Sequence, residues 1–382
     1  MKKKALIISC FDWYEKRIKP IQESLSENYE VTIISSDFDH ILKKRITKRY
    51  KDIIYVNVPS YKKNLSLKRI FSHLIFGKKV SRILTEVEPD LIYLLMPPNN
   101  TAQYCLKYKK KRTKVIYIID IIDMWPESFP LGGLRKLPIF KMWANMRNKS
   151  LLNADYVVTE CTLYQEQISH LLKSNDNIDT LHLFKEQNED ENSLVNLYAI
   201  QKKSLIEKRL VLGYLGSINH IIDIEGIKKL LVGLKQAGYE VDIHIIGDGE
   251  SKEVFLESLN SVGASIHFYG KVFDEVQKIK ILGNCDYGLN MMKNNVTVGL
   301  TIKSIDYFSY GLPIINNIKG DTWKLVEEEN VGVNYNGDIN ILISEIQRDL
   351  LREKTQNTLK CYQNYFTKEV FEKKIKEIIL KL

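Results

Sequence analysis

Residues 298–313 read VGLTIKSIDYFSYGLP, a segment of helix length held between two glycines. Gly299 stands just before the run from 301 to 310, and Gly311 and a proline follow it. A glycine at the start lets the backbone come close to a bound group, and a glycine followed by a proline is a common helix end. The segment therefore predicts a short helix whose first turn can face a ligand.

The first turn of this helix carries groups that suit a nucleoside diphosphate. The amides of Leu300, Thr301 and Ile302 would form the positive helix end, which can hold a phosphate, and Lys303 adds a cation. Asp306 lies one turn further on, where its carboxylate can accept hydrogen bonds from two ribose hydroxyls. The plainer alternative is a surface helix in which Lys303 and Asp306 form an i,i+3 pair worth a few tenths of a kcal/mol. Spacing alone leaves both interpretations open.

Outward from this segment, short apolar runs alternate with helical patterns along the chain. Strands that are apolar throughout and separated by helices indicate a parallel sheet covered on both faces. The pattern predicts an α/β protein with two doubly wound Rossmann-like domains facing a central crevice that binds the ligand. The predicted strands are 5–10, 31–36, 53–58, 91–96, 115–120, 156–160, 210–215, 241–246, 266–269, 287–291 and 313–316. The main predicted helices are 67–87, 101–108, 224–237, 252–259, 276–282 and 301–310.

The domain boundary is expected where the composition changes after Phe184. Residues 185–193 read KEQNEDENS, which is polar and acidic and has no apolar period. We therefore predict an N-terminal domain at 1–190, a linker at 191–208 and a C-terminal domain at 209–365. Residues 366–382 form a helical pattern that ends the sequence.

Length and composition exclude several classes of protein. A chain of 382 residues with 44% hydrophobic and 27% charged residues is globular and long enough for two domains. Its five scattered cysteines suggest neither a disulfide framework nor a zinc site, which fits a reducing cytosol. No apolar stretch approaches the roughly 20 residues of a transmembrane helix, and the basic start runs into a strand and not into a signal-peptide core. A cytoplasmic location is expected.

The positive charge belongs to the first half of the chain. Residues 1–190 hold 32 Lys and Arg against 22 Asp and Glu, whereas the remainder holds 24 against 25. The cations concentrate in 43–51, 62–82 and 107–114. These runs are either solvated faces or a surface that binds the inner face of an anionic membrane. Each cation near such a membrane contributes about 1 kcal/mol of binding free energy. Nucleic acid is not expected as a partner, because the aromatic and glycine patterns of single-strand binders are missing around them.

Lys303 and Asp306 open the pattern K-x-x-D-Y-x-x-x-G-x-P, which resembles the K-x-x-E-Y-x-x-x-G-x-P segment of family-4 glycosyltransferases. These are retaining GT-B enzymes that are common in bacterial polysaccharide synthesis. The acidic residue of the segment holds the donor ribose in the family, a role that the resemblance gives to Asp306. The sequence has Asp where the family has Glu, and the family's earlier Glu, eight residues before, is Val298. The resemblance thus leaves open how the donor sugar is held.

Three further segments of the second half resemble donor-binding turns of the same family. They lie at 212–219, 245–250 and 269–272, and each also reads as an ordinary tight turn. Family members often carry an Arg and a Lys after the first of these glycines, whereas here Ser217 and Ile218 follow it, so Lys303 takes more of the diphosphate. The resemblance implies donor contacts for Gly216, Ser217, Asn219, Gly247, Gly249, Lys271, Gly299, Leu300, Thr301, Lys303 and Asp306.

In the first domain, residues 120–128 read DIIDMWPES and follow a predicted buried strand. They resemble the D-L-W-P-E-S segment of a polysaccharide-forming branch of the family, and the preceding PPNN at 97–100 matches its proline-rich loop. Asp123 and Glu127 are the candidate catalytic residues there, together with Lys303, because carboxylates can bind acceptor hydroxyls or stabilise positive charge on the sugar. Helix capping beside Pro126 is the plainer interpretation.

The resemblance implies a glycosyltransferase of the hexosyltransferase type. It would move a sugar from a nucleotide donor, expected to be UDP-linked, to a lipid-linked saccharide or another glycan acceptor in bacterial surface polysaccharide synthesis, with retention. No cofactor or metal is expected, and Asp37-Phe38-Asp39 is interpreted as a surface turn. Two alternatives remain: a nucleotide-sugar epimerase on the same scaffold, and a nonenzymatic partner with a degenerate donor site. A nicotinamide dehydrogenase is disfavoured, because residues 8–12 lack G-x-G-x-x-G.

Overall fold

The computed structural model describes residues 2–11, 15–47, 50–63, 66–129, 137–172, 174–201, 208–346 and 348–382. Parts of the predicted basic runs, at 48–49 and 64–65, and of the predicted linker, at 202–207, lie outside the described residues. The chain forms two compact units. Unit 1 consists of residues 1–183 and 371–382, and unit 2 consists of residues 184–370.

Unit 1 is built on a parallel sheet of seven strands in the order β5-β2-β1-β6-β7-β8-β9. Its central strands are buried over most of their length, as expected where helices cover both faces of a parallel sheet. Strand β6, for example, is buried at every residue. A small antiparallel pair, β3-β4, is separate from this sheet. The strands are β1 Lys3–Ser9, β2 Tyr29–Ser36, β3 Phe38–Asp39, β4 Lys44–Arg45, β5 Ile53–Val56, β6 Leu91–Met96, β7 Ile116–Ile121, β8 Tyr156–Thr159 and β9 Ile178–Thr180.

The helices of unit 1 are α1 Glu15–Ser26, α2 Leu67–Val87, α3 Asn99–Lys111, α4 Pro138–Leu151 and α5 Thr162–Ile168. Helix α2 begins at a serine cap, where the Ser66 side chain accepts a hydrogen bond from the Arg69 amide. The last helix, α14 Lys368–Leu380, adds its buried face to this unit through Phe371, Ile375 and Ile378.

Unit 2 repeats the plan with six parallel strands in the order β12-β11-β10-β13-β14-β15. The chain turns from one side of β10 to the other between β12 and β13, so the carboxyl end of β10 lies at the topological switch point. Ligands of doubly wound sheets bind outside the carboxyl ends of the strands at such a point. The strands are β10 Arg209–Leu215, β11 Glu240–Ile246, β12 Ser265–Gly270, β13 Tyr287–Asn290, β14 Ile314–Asn316 and β15 Gly332–Asn334.

The remaining helices belong to unit 2, and side-chain caps start several of them. Asp223, Asp274, Thr301 and Asp338 each accept a hydrogen bond from an amide of the first turn that follows. The helices are α6 Glu189–Gln201, α7 Ile224–Gln236, α8 Lys252–Asn260, α9 Glu275–Leu282, α10 Ile302–Ser309, α11 Asp321–Glu329, α12 Ile339–Glu345 and α13 Arg348–Tyr365.

The α/β class and the two doubly wound Rossmann-like domains are confirmed. The interpretation of residues 37–39 as a surface turn is wrong, because Asp37 and Phe38 are buried and Phe38–Asp39 form strand β3. Asp37 is only 3% exposed, pairs with Arg45 and accepts hydrogen bonds from the Asn57 side chain and the Val58 amide. The region predicted as a linker includes most of α6. In the described parts of the chain, no helix combines the length and the apolar character needed to cross a bilayer.

Candidate functional site

The loops that follow β10 and β11 are packed backbone to backbone. The Gly216 amide donates to the Ile246 carbonyl at 2.9 Å, and the Ile218 amide donates to the Asp248 carbonyl at 3.0 Å. Gly247 has φ of +155°, and a Cβ there would come within 2.0 Å of the Gly216 carbonyl oxygen. Only glycine fits such an approach. The two predicted glycine turns therefore form one surface at the carboxyl edge of the sheet.

The helix that follows Gly299 begins one residue later than its sequence predicts. Thr301 is the N-cap, and its hydroxyl oxygen accepts from the Ser304 amide at 3.1 Å. The same hydroxyl donates to Asn290 Oδ1 at 3.1 Å. Asn290 and Ser304 are fully buried, so this network fixes the first turn of α10 against the end of β13. The helix end is thus rigidly placed before any ligand binds.

Tyr307 holds α10 to β10, the strand that precedes Gly216. The Leu215 amide donates to the Tyr307 hydroxyl at 2.8 Å, and the ring lies where a Cβ on Gly288 would come within 2.9 Å of it. Burial raises the pKa of Tyr307 well above its usual value, so the hydroxyl stays neutral. One buried side chain therefore sets the spacing between the helix and the first glycine loop.

Lys303 lies on the first turn of α10, and its ammonium is 5.2 Å from the centre of the Tyr214 ring. Lys303 is half-buried. Burial lowers its pKa to about 8. A cation beside the helix end, in a partly dry site, can bind a diphosphate strongly because water screens the attraction less there.

Asp306 does not pair with Lys303 as the surface-helix interpretation requires. Its Oδ1 accepts a hydrogen bond from Lys185 Nζ at 2.8 Å. Lys185 also contacts Glu275 and Tyr310, so Asp306 belongs to a cluster of ionised and hydrogen-bonded groups. The carboxylate remains 22% exposed and can still accept from a ligand.

The other predicted donor contacts differ in how accessible they are. Ser217 is exposed, and the Asn219 side chain accepts from the Ile221 amide at 3.1 Å. Lys271 is exposed and lies 3.8 Å from an Asp248 oxygen. The Gly299 carbonyl accepts two hydrogen bonds from Thr322, one from its amide and one from its hydroxyl. Leu300 is buried and Gly249 is exposed, and neither residue has a polar side chain. Any contact that they make with the donor would come from the backbone.

In unit 1, Asp123 follows β7 and lies in the loop that the sequence singled out. The indole N–H of Trp125 donates to its Oδ2 at 2.7 Å. Burial raises the pKa of Asp123, against the effect of the hydrogen bonds that it accepts. A carboxylate held in this way can serve as a fixed acceptor of hydroxyl hydrogens.

Glu127 forms a bidentate pair with Arg147 of α4. The guanidinium donates to its two oxygens at 2.6 and 2.9 Å and to the Trp125 carbonyl at 3.2 Å. Arg147 is 3% exposed, so the pair anchors the loop on the helix. The geometry gives Glu127 a positioning role more readily than a catalytic one.

Sequence reasoning missed Lys185, Arg147 and Tyr307. Lys185 was part of a polar run, and Arg147 lies in a helix that no motif marked. Tyr307 stands inside the quoted motif, where its place beside Asp306 was the available signal. Within the described ranges, no group of three or more His, Cys, Asp or Glu side chains is arranged to hold a metal ion.

Comparison with known proteins shows similarity in structure only. No family model matches the chain, and no curated protein sequence matches it. The lipopolysaccharide outer core galactosyltransferase WaaB superposes with a TM-score of 0.64 at 17% identity, over 99% of each chain. HepE from Anabaena, solved with UDP and glucose, gives 0.64 at 14% identity over the whole of both chains. A Listeria monocytogenes protein assigned as a UDP-N-acetylglucosamine 2-epimerase gives 0.56 at 13% identity, covering 99% of this chain and 96% of that one. The fold of the chain is therefore GT-B.

Proposed function

We propose that the chain is a glycosyltransferase that takes its sugar from a nucleoside diphosphate bound to unit 2. The observation that carries the proposal is the rigid first turn of α10 beside the Gly216 loop, with Lys303 and Asp306 one turn apart on it. The helix end and Lys303 suit the diphosphate, and Asp306 suits the ribose. The structural similarity to HepE, which was solved with UDP, supports a UDP-linked donor.

Unit 1 is proposed to bind the acceptor, through the loop that carries Asp123. Its fixed carboxylate can orient an acceptor hydroxyl or stabilise positive charge on the sugar, while the Glu127–Arg147 pair holds the loop. The motif resemblance adds three parts to the proposal. They are membership of family 4, retention of the anomeric configuration, and a lipid-linked or other glycan acceptor of bacterial surface polysaccharide synthesis. Structural similarity to the lipopolysaccharide galactosyltransferase WaaB supports this class of acceptor.

Asp306→Ala is expected to weaken binding of the preferred nucleotide sugar at least tenfold without loss of folding, because a buried hydroxyl of the ribose would lose its acceptor. The preferred donor is found first by screening sugar nucleotides for thermal stabilisation, since a ligand at about 100 times its Kd adds about 2.7 kcal/mol. Calorimetry of both chains with that donor gives the two affinities. Asp338→Ala, which removes a helix cap of the same unit, is the control.

Two results would contradict the proposal. Equal donor affinity in Asp306→Ala and the unsubstituted chain would place the ribose elsewhere. Failure of every sugar nucleotide to bind the unsubstituted chain would favour a nonenzymatic partner with a degenerate site, a possibility that Val298 raises by standing where the related family has a Glu.

A nucleotide-sugar epimerase is the second candidate, favoured by the similarity to the Listeria protein. The two reactions differ in what happens to the donor when no acceptor is present. An epimerase converts the sugar nucleotide to its epimer, whereas a transferase leaves it unchanged apart from slow hydrolysis. Incubation with the preferred donor, followed by chromatography of the sugar nucleotide, separates the two candidates.

The membrane partner is proposed to bind the outer face of α2. Leu67, Ile70, Phe71 and Leu74 are spaced i, i+3, i+4 and i+7, and they are 83%, 48%, 55% and 43% exposed. Lys78 and Arg82 continue the same face toward the helix end and are exposed. An apolar stripe followed by cations on one helix face suits the surface of an anionic bilayer. A cytoplasmic enzyme attached to the inner face of the membrane would meet a lipid-linked acceptor there.

Replacing Ile70 and Phe71 together by Ser is expected to reduce binding to vesicles of phosphatidylcholine with phosphatidylglycerol by at least about tenfold, because each buried apolar side chain contributes about 1.5–3 kcal/mol. Flotation measures the bound fraction, and vesicles of phosphatidylcholine alone should bind less of the unsubstituted chain. The control replaces Ile139 and Met142 on α4, which are equally exposed at 56% and 55%. Equal loss in both variants, or self-association in place of lipid binding, would contradict the assignment.

A further inference from the structure

Lys185 is fixed onto unit 2 by its backbone. Its amide donates to the Phe366 carbonyl at 2.9 Å, and its carbonyl accepts from the Tyr362 hydroxyl at 2.8 Å. The neighbouring Gln187 side chain donates to the Ser309 carbonyl at 3.0 Å. The polar run that the sequence marks as a boundary is therefore attached at this point to α13 and to the end of α10.

The Lys185 ammonium is surrounded by oxygen acceptors. It donates to Asp306 Oδ1 at 2.8 Å, to the Tyr310 hydroxyl at 2.7 Å and to Glu275 Oε1. A lysine has three N–H donors, so each one has a partner. The Lys185 side chain is 12% exposed, and the Tyr310 hydroxyl in turn donates to Glu275. The cluster is closed and mostly shielded from water.

This ammonium connects two segments of the candidate donor site. Glu275 is the first residue of α9, shortly after the loop of Lys271, and Asp306 lies on α10. Burial alone would raise the pKa of Glu275, but Lys185, together with Lys278 and the Tyr310 hydroxyl, outweighs this effect and the pKa falls to about 2. Without Lys185, Glu275 would keep Lys278 at 2.5 Å and the Tyr310 hydroxyl, whereas Asp306 would lose the cation that it contacts. Repulsion would then act on Asp306, and its side chain would lose the bond that fixes its rotamer.

We propose that Lys185 is a positioning residue that presents the Asp306 carboxylate to the ribose of the donor. The Lys185 ammonium donates a hydrogen bond to Oδ1 of Asp306. Among the described residues no hydrogen-bond partner is found for Oδ2, so this oxygen can accept a hydrogen bond from a ribose hydroxyl. A fixed carboxylate discriminates between ligands with and without that hydroxyl more sharply than a mobile one. The inference rests on the proposed function, since it requires a nucleoside diphosphate on unit 2.

The test compares ribose and deoxyribose ligands in Lys185→Met. UDP, GDP and ADP are titrated into the unsubstituted chain by calorimetry, and the tightest binder is then compared with its 2′-deoxy form. The unsubstituted chain is expected to prefer the ribose form at least tenfold. In Lys185→Met the ribose form should bind about tenfold more weakly and the preference should fall to about twofold. Lys185→Arg should recover part of the preference, because it keeps the charge.

Lys354→Met is the matched control. Lys354 is also a buried lysine of unit 2, and it contacts Asn330 at 2.6 Å and Glu345 at 3.4 Å. This variant should keep the ribose preference even if its thermal stability falls. Three results would overturn this inference without affecting the proposed function. Lys185→Met could weaken both ligand forms equally, or it could leave the ribose preference unchanged. The unsubstituted chain could also bind a nucleoside diphosphate without any ribose preference. An unsubstituted chain that binds no nucleoside diphosphate would overturn the proposed function with it.

Discussion

Lys303→Met is expected to lower the rate of sugar transfer by about 10²- to 10³-fold while the chain stays folded. The reason is that Lys303 supplies a cation beside the α10 end at the site proposed for the leaving diphosphate. Groups aimed at developing negative charge typically contribute a factor of this size. The measurement is single-turnover transfer with the preferred sugar nucleotide, and thermal unfolding of the variant checks the fold. Lys280→Met, an exposed lysine on α9, is the matched control and should keep the full rate.

The pH dependence of nucleotide binding is an independent test of the proposed contact between Lys303 and the diphosphate. Burial lowers the pKa of Lys303 to about 8, so its ammonium is charged below pH 8 and becomes neutral above it. Because the charged form binds the diphosphate, affinity for the nucleoside diphosphate should be full below pH 8 and fall by up to about tenfold per pH unit above it. This fall should be absent in Lys303→Met. A variant with near-normal turnover, or one that keeps the decline above pH 8, would exclude Lys303 from the diphosphate site.

The sequence was sufficient to predict elements whose pattern is local. Helix α2 is observed over the predicted residues 67–87, and β6 over the predicted 91–96. Short continuous apolar runs bounded by polar turns are typical of buried strands in a covered sheet, and a long apolar period of 3.6 residues indicates a helix. The start of α10 was displaced by one residue, because Thr301 turns its side chain to cap the helix and so cannot join it.

Pairs of residues far apart in the sequence could not be predicted. Glu127 was recognised, but Arg147, which holds it, lies 20 positions away on an unmarked helix. Lys185 reaches Asp306 across 121 positions, and its surroundings in the sequence are those of a surface loop. Both pairs depend on how a loop segment packs against a distant helix, which no short-range sequence pattern indicates. The candidate donor residues were thus identifiable by motif, whereas the side chains that position them were not.

A buried ion pair among the described residues of unit 1 is another long-range contact of this kind. Arg17 on α1 donates to both oxygens of Asp120 at 2.8 and 2.9 Å, and Tyr93 donates to the same carboxylate at 2.9 Å. Arg17 is 2% exposed and Asp120 is fully buried. Burial alone would lower the pKa of Arg17, but Asp120 raises it above its ordinary value. The guanidinium therefore stays charged and depends on this carboxylate.

Asp120→Asn is expected to lower the free energy of unfolding of unit 1 by about 3–5 kcal/mol, because it leaves the buried charge of Arg17 uncompensated. Urea unfolding followed by tryptophan fluorescence measures the change, since three of the four tryptophans precede residue 184. Glu27→Gln, which breaks the exposed pair with Lys376, is the control and should cost less than about 1 kcal/mol. The double variant Arg17→Met with Asp120→Leu should recover most of the loss, because it removes both charges and keeps apolar volume. If the double variant is as unstable as Asp120→Asn, packing at this position and not the unpaired charge determines the stability of unit 1.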